Sequence, residues 1–115
     1  MSNPVVHFEI MGKETAKLAS FYSGLFGWKI DTNNPMNYGM VDTGSGPGIP
    51  GGIGDEPDGS SRVTVYVEVD DLQKYLDDAV SRGATVRMPP TEIPGAVTMA
   101  MFSDPAGNVI GMIKG

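Results

Sequence analysis

The feature that most constrains this chain is an order of elements that occurs twice. Residues 5–10 alternate in the manner of a strand. Residues 13–26 then place Leu18, Tyr22, Leu25 and Phe26 at i, i+4, i+7 and i+8, a helical stripe, with Gly27 as the expected C-cap. Strands follow over 28–30 and 38–41, separated by the turn signal Asn33-Asn34-Pro35, and a short irregular strand is expected around 51–53 inside the Gly/Pro-rich stretch 44–54. After a polar linker over 55–61 the pattern restarts. Residues 62–69 alternate, and residues 71–82 carry Leu72, Tyr75, Leu76, Ala79 and Val80 at helical spacing, with Asp70 or Asp71 as N-cap and Gly83 as C-cap. The strand over 85–88 is expected to break at Pro89-Pro90. Strands over 97–102 and 109–114 close the chain around the turn Asp104-Pro105-Ala106-Gly107-Asn108. Gly27 and Gly83 stand 56 residues apart, as do the two leading strands, nearly. Two βαβββ modules, about 4–54 and 62–114, therefore make up a single α+β domain over 1–115.

A strand offers two faces, and the alternation sorts them. Val63, Val65, Val67 and Val69 form the apolar row of their strand, expected to pack beneath the helices; Thr64, Tyr66 and Glu68 form the other row. In the first strand Val6, Phe8 and Ile10 oppose Val5, His7 and Glu9. If the modules lie side by side they make one curved mixed sheet with the helices on its convex face. His7, Glu9, Thr64, Tyr66 and Glu68 then share a concavity suited to a small ligand, with Tyr38, Met40, Met99 and Met101 as further lining.

Composition removes several classes of function. The chain has 8 basic and 14 acidic residues, net −6, without a Lys/Arg cluster. Nucleic acid and anionic membrane surfaces are thus disfavoured partners; the charge itself reads first as solubility, with a preference for a cationic ligand as the sharper alternative. No cysteine is present, which excludes disulfides, thiolate catalysis and cysteine metal sites. There is no leader pattern at the start and no apolar run long enough for a bilayer, so a cytoplasmic location is expected. The core is small, and a homodimer is the expected assembly.

Three strings, Val6-His7-Phe8-Glu9-Ile10, Phe21-Tyr22-Ser23-Gly24-Leu25-Phe26-Gly27-Trp28 and Asp104-Pro105-Ala106-Gly107-Asn108, in this order and separation, resemble the vicinal oxygen chelate superfamily of glyoxalases, bleomycin-resistance proteins and ring-cleaving dioxygenases. The resemblance covers residues 4–114. It implies a U-shaped cavity and, in the enzymes, a divalent metal held by ligands from the first and last strand of each module. Carried over, the first ligand position falls on His7. The second falls among residues 51–53, where no carboxylate or imidazole stands; the third falls on Thr64 and the fourth on Gly111. One of four ligands remains, so no metal cofactor is expected, and a makeshift site of His7, Glu9 and Glu68 is the disfavoured exception. Buried together without a cation, Glu9 and Glu68 would instead supply a general acid or base. Three functional readings stay open, in this order: a metal-free binder of a small organic molecule, a lyase, isomerase or dioxygenase with a rearranged metal site, and a non-catalytic interaction module.

Overall fold

The structure is a computed structural model that describes residues 2–34, 37–44 and 46–115; Pro35 of the expected Asn33 turn and Ser45 of the Gly/Pro-rich stretch lie outside the described residues. The elements run β1 (Val5–Gly12), α1 (Thr15–Phe26), β2 (Lys29–Asp31), β3 (Gly39–Asp42), β4 (Gly51–Asp55), β5 (Arg62–Val69), α2 (Leu72–Ser81), β6 (Thr85–Glu92), β7 (Thr98–Ser103) and β8 (Val109–Lys114). The duplicated βαβββ order and the α+β class are as expected. Two compact units result, one of His7–Thr64 and one of the residues up to Val6 together with Val65–Gly115, so the division falls within β1 and β5.

The first unit orders its strands β2-β3-β4-β1, and β1 runs parallel to β4 with Glu9 opposite Gly52. The second orders them β5-β8-β7-β6, and β5 runs parallel to β8 with Tyr66 opposite Gly111. In each, the leading strand pairs with the last one and the remaining neighbours are antiparallel, which makes both sheets mixed.

The helices have different supports. The N-terminal cap of α2 is Asp71, whose carboxylate accepts from the Lys74 N–H at 3.1 Å. Leu72 and Leu76 bury against Val69, Ala100 and Met112 to form the core of that unit. In α1 the N-cap position is Glu14, left-handed at φ 64° and without a side-chain cap. Asp55 at the end of β4 takes over, accepting from the Thr15 N–H at 2.9 Å and the Thr15 hydroxyl at 2.6 Å. These bonds hold the Asp55 carboxyl below its ordinary value. At the other end Gly27, at φ 74°, closes α1 by donating its N–H to the Ser23 carbonyl, the left-handed stop that a glycine permits.

Three expectations about elements and faces change. Pro89-Pro90 does not end β6, which runs on to Glu92 with register shifts between Val86 and Met88 and between Met88 and Thr91. As the terminal strand of its unit, β6 can lose proline's N–H without losing a ladder partner. The stripe of α1 is only partly covered: none of its residues is fully buried, Leu18 and Tyr22 are half-buried, and Leu25 and Phe26 are each 59% exposed. The two rows of β5 also exchange roles at its start. Val63 is 73% exposed, whereas Thr64 and Tyr66 are buried.

Candidate functional site

The chemically busiest part of the chain lies within the His7–Thr64 unit. His7 and Glu9 project from β1 two residues apart, hence on one face. Tyr38, just ahead of β3, is held by Asn34, whose side-chain amide donates to the Tyr38 carbonyl at 2.6 Å and whose oxygen accepts from the Tyr38 N–H at 3.0 Å. The Tyr38 hydroxyl donates to Glu9 Oε2 at 2.8 Å, and His7 Nε2 lies 3.2 Å from the same hydroxyl. With the phenolic proton directed at Glu9, His7 Nε2 carries the hydrogen of its own bond and donates to Tyr38. The other carboxylate oxygen, Glu9 Oε1, accepts from Arg62 Nη2 at 3.1 Å. Arg62 also donates from Nε to Glu56 Oε2 at 2.8 Å and from Nη1 to the Thr64 hydroxyl at 2.5 Å.

Glu9 is therefore a buried carboxylate satisfied by a guanidinium on one side and a phenol on the other. Burial works against the charge of Arg62. The Glu56 hydrogen bond and the charges of Glu9 and Glu56 outweigh it, and the guanidinium pKa stands above its ordinary value. Burial likewise pulls the His7 imidazole below 6.5, and the nearby Glu9 charge only partly opposes this.

The lowered His7 value sets a pH dependence. Below 6.5 the unfolded chain takes up a proton on His7 before the folded one does, so acidification favours unfolding. The contribution is complete above pH 6.5 and declines as pH falls from there through the folded-state value. Urea midpoints between pH 7.5 and 5 should drop for the wild type and drop less for His7→Gln. The slope should stay well under the single-group ceiling of about 1.4 kcal/mol per pH unit, since the ring is only half-buried. A parallel pair of curves would remove His7 as the cause.

Tyrosine rings stand where the carried-over carboxylates were sought. At Gly52 an added Cβ would fall on the hydroxyl end of Tyr38, and at Gly111 it would fall on the ring of Tyr66. Each glycine lies on the last strand of its unit, opposite a residue of the leading strand, and each ring occupies the space a side chain would need. Phe8 covers Gly51 in the same way.

Of the expected site residues, His7, Glu9, Tyr38 and Thr64 come together in one unit and one network, in which Arg62 bonds Glu9 and Thr64 directly, and Tyr38 and then His7 follow through Glu9. Met40 does not join them: it is 52% exposed and lines a shallow groove with Lys29, Ile30, Asp31, Val41 and Asp42. Tyr66, Glu68, Met99, Met101 and Gly111 belong to the other unit. There Met101 is buried opposite Gly111 and Met99 pairs with Ile113. Glu68 is exposed beside a cleft of about 250 Å³ lined also by Asn3, Asp70 and Tyr75. A buried pair of acids without a cation does not form, because Glu9 faces Arg62 and Glu68 is at the surface. Arg62 and Glu56 were missed in the sequence, where one read as a strand start and the other as linker. The available signal was that Arg62 shares the face of Thr64, two residues along β5.

The chain matches the model of the Glyoxalase/Bleomycin resistance protein/Dioxygenase superfamily over residues 5–112. It belongs to that superfamily. The anthracycline biosynthesis protein DnrV of Streptomyces peucetius is 30% identical over 117 residues, which cover 87% of this chain and 42% of that protein. The chain thus spans less than half the length of this curated relative. Among solved structures, a superfamily member from Vibrio splendidus superposes with a TM-score of 0.64 at 14% identity, covering 99% of this chain and 100% of that one. The Mn(II)-bound glyoxalase of Novosphingobium aromaticivorans gives 0.68 at 14% identity, covering 98% and 40%. These two likenesses establish the fold.

The superfamily's enzymes hold a divalent metal, and the residues present here do not fit one. Among the described residues no group of three His, Asp or Glu is placed to hold an ion. Glu9, the carboxylate beside the only histidine, has a cation and a phenol on its two oxygens. A second cation there would meet the charge of Arg62. No helix among the described residues is long and apolar enough to cross a membrane.

Proposed function

We propose that this chain binds a small organic molecule, planar and cationic, without a metal ion, and that it works in the cytoplasm. The observation that carries the metal-free part is the Arg62–Glu9–Tyr38 assembly. A guanidinium supplies the positive charge that a divalent ion supplies elsewhere in the superfamily, and it is tied to the sheet by Glu56 and Thr64 as well. The choice of ligand rests on two supports. A relative at 30% identity is named for anthracycline biosynthesis, which makes fused aromatic rings the first class to try. The net charge of −6 favours a cation. Half-buried His7 and Tyr38 offer an imidazole and a phenol ring edge for stacking and hydrogen bonding. A chain without cysteine suits a reducing compartment.

Thermal-shift and calorimetric titrations in EDTA test this reading, with a cationic anthracycline and a neutral anthraquinone of equal ring count. The cationic compound should stabilise the fold, by about 2.7 kcal/mol at a hundredfold excess over Kd, and His7→Gln or Tyr38→Phe should weaken it. No stabilisation by any member of a broad aromatic-cation set would reject the proposal. Stabilisation that appears only after Mn or Ni is added would favour the metal-dependent enzyme instead.

A further inference from the structure

The strand registers of the His7–Thr64 unit line up one row across its sheet. Asp31 of β2 stands opposite Met40 of β3, Met40 opposite Gly52 of β4, and Gly52 opposite Glu9 of β1. Directly paired residues on neighbouring strands share a face, so Asp31 and Met40 look out on the same side as Glu9. Tyr38 is on that side too, with its hydroxyl end in the space over Gly52.

The two ends of the row differ in charge. At the β1 end Glu9 already accepts from Arg62 Nη2 at 3.1 Å and from the Tyr38 hydroxyl at 2.8 Å. A further cation brought there would be repelled by Arg62. At the β2 end Asp31 is exposed, and no ion pair among the described residues includes it. Its Oδ1 accepts from the Asn33 N–H at 2.8 Å, which orients the carboxylate without neutralising it. The neighbouring acid Asp42 stands opposite Lys29, whereas Asp31 has the uncharged Met40 across from it.

Between the ends the surface suits a flat apolar body. Met40 is 52% exposed and borders, with Lys29, Asp31 and Asp42, a groove of about 370 Å³. That volume lies within the range of small-molecule sites, and a thioether adapts to an aromatic face. Asp31 and Glu9 are separated by three strand spacings, about 14 Å. A fused-ring system with an amine at one end has that reach.

We infer that Asp31 is the counter-charge for the ligand's cation. The ligand lies across the strands, with its positive end at Asp31, its rings over Met40 and its uncharged end against Tyr38. Arg62 sets the direction by repelling the positive end, and Asp31 sets the preference for a charged ligand. The inference rests on the proposed metal-free binding of a cationic ring system, to which it adds an orientation and the residue that selects the charge.

Calorimetric titration in EDTA with an anthracycline bearing a free amine, and with its N-acetyl derivative, tests it. The second compound keeps the rings and loses the charge. The wild type should bind the amine about fivefold more tightly than the amide. Asp31→Asn should abolish that preference by weakening the amine alone, and high salt should reduce it in the wild type. Asn keeps an acceptor for the Asn33 N–H, so the melting temperature should not move. Lys29→Gln should tighten the amine, because a like charge leaves the groove, and Met40→Ala should weaken both compounds alike. If both compounds bind and Asp31→Asn preserves the preference, or weakens the two equally, the inference falls and metal-free binding stands. A wild type that binds both compounds equally also overturns it. If neither compound binds the wild type, the proposed function falls and the inference with it.

Discussion

Arg62→Met should cost about 3–4 kcal/mol of stability, read as a lower urea midpoint with an unchanged m-value. The reason is the carboxylate left behind. Glu9 is buried, with its side chain only 10% exposed, and it depends on Arg62 Nη2 for the charge that balances its own. Removing one partner of a buried pair leaves an uncompensated charge, which is far more damaging than removing both. Arg62 also satisfies Glu56 and the Thr64 hydroxyl, so three acceptors lose a donor at once. Glu9→Gln alone should cost about 1 kcal/mol, since Gln keeps an acceptor for Arg62 or Tyr38. In the double variant Glu9→Gln/Arg62→Met the losses should fall short of their sum by more than 1 kcal/mol. If Arg62→Met loses under 1 kcal/mol, the guanidinium is not the anchor of this site, and the metal-free reading loses its support.

The second large effect comes from adding a single methyl group. Gly52→Ala should destabilise the protein by about 3 kcal/mol, roughly 12 °C in Tm. The new Cβ lands on the hydroxyl end of Tyr38. The ring must swing aside, and in doing so it gives up its bonds to Glu9 and His7. Overpacking and the loss of a hydrogen bond to a charged group therefore add. In a Tyr38→Ala background the same methyl group has room, and Gly52→Ala should then cost less than 1 kcal/mol. Equal costs in both backgrounds would mean that backbone effects at Gly52, not the ring, set the result. Gly111→Ala against Tyr66 is the matching experiment in the other unit.

Both predictions concern a site only partly readable in advance. His7, Glu9 and Thr64 were placed by strand alternation, a local geometric rule that needs nothing beyond neighbouring residues. Tyr38 was named as lining, but its hydroxyl's position between Glu9 and His7 depends on how β3 lies against β4 and β1, which no local pattern encodes. Arg62 went unseen because it reaches Glu9 across 53 residues of sequence, and Glu56 because what ties it to the site is its bond to Arg62, 6 residues along the chain. The missing carboxylates, one among residues 51–53 and one at Gly111, were legible as absences. That tyrosine rings fill the space was not, since a glycine in a strand signals close approach without naming what approaches.

By itself the sequence determined the duplicated βαβββ order, the glycine stop at Gly27, a cap at Asp70 or Asp71 and the poverty of metal donors. All four follow from short-range periodicity, backbone sterics or composition. Only the tertiary structure decided which apolar stripe is buried. Leu72 and Leu76 of α2 and Leu25 and Phe26 of α1 belong to stripes of the same helical period, yet the first pair closes a core and the second remains exposed. Periodicity says that a face is apolar; whether the chain covers it depends on long-range packing against the sheet. The same holds for Glu9, whose charge is written in the sequence and whose counter-charge is chosen by the fold.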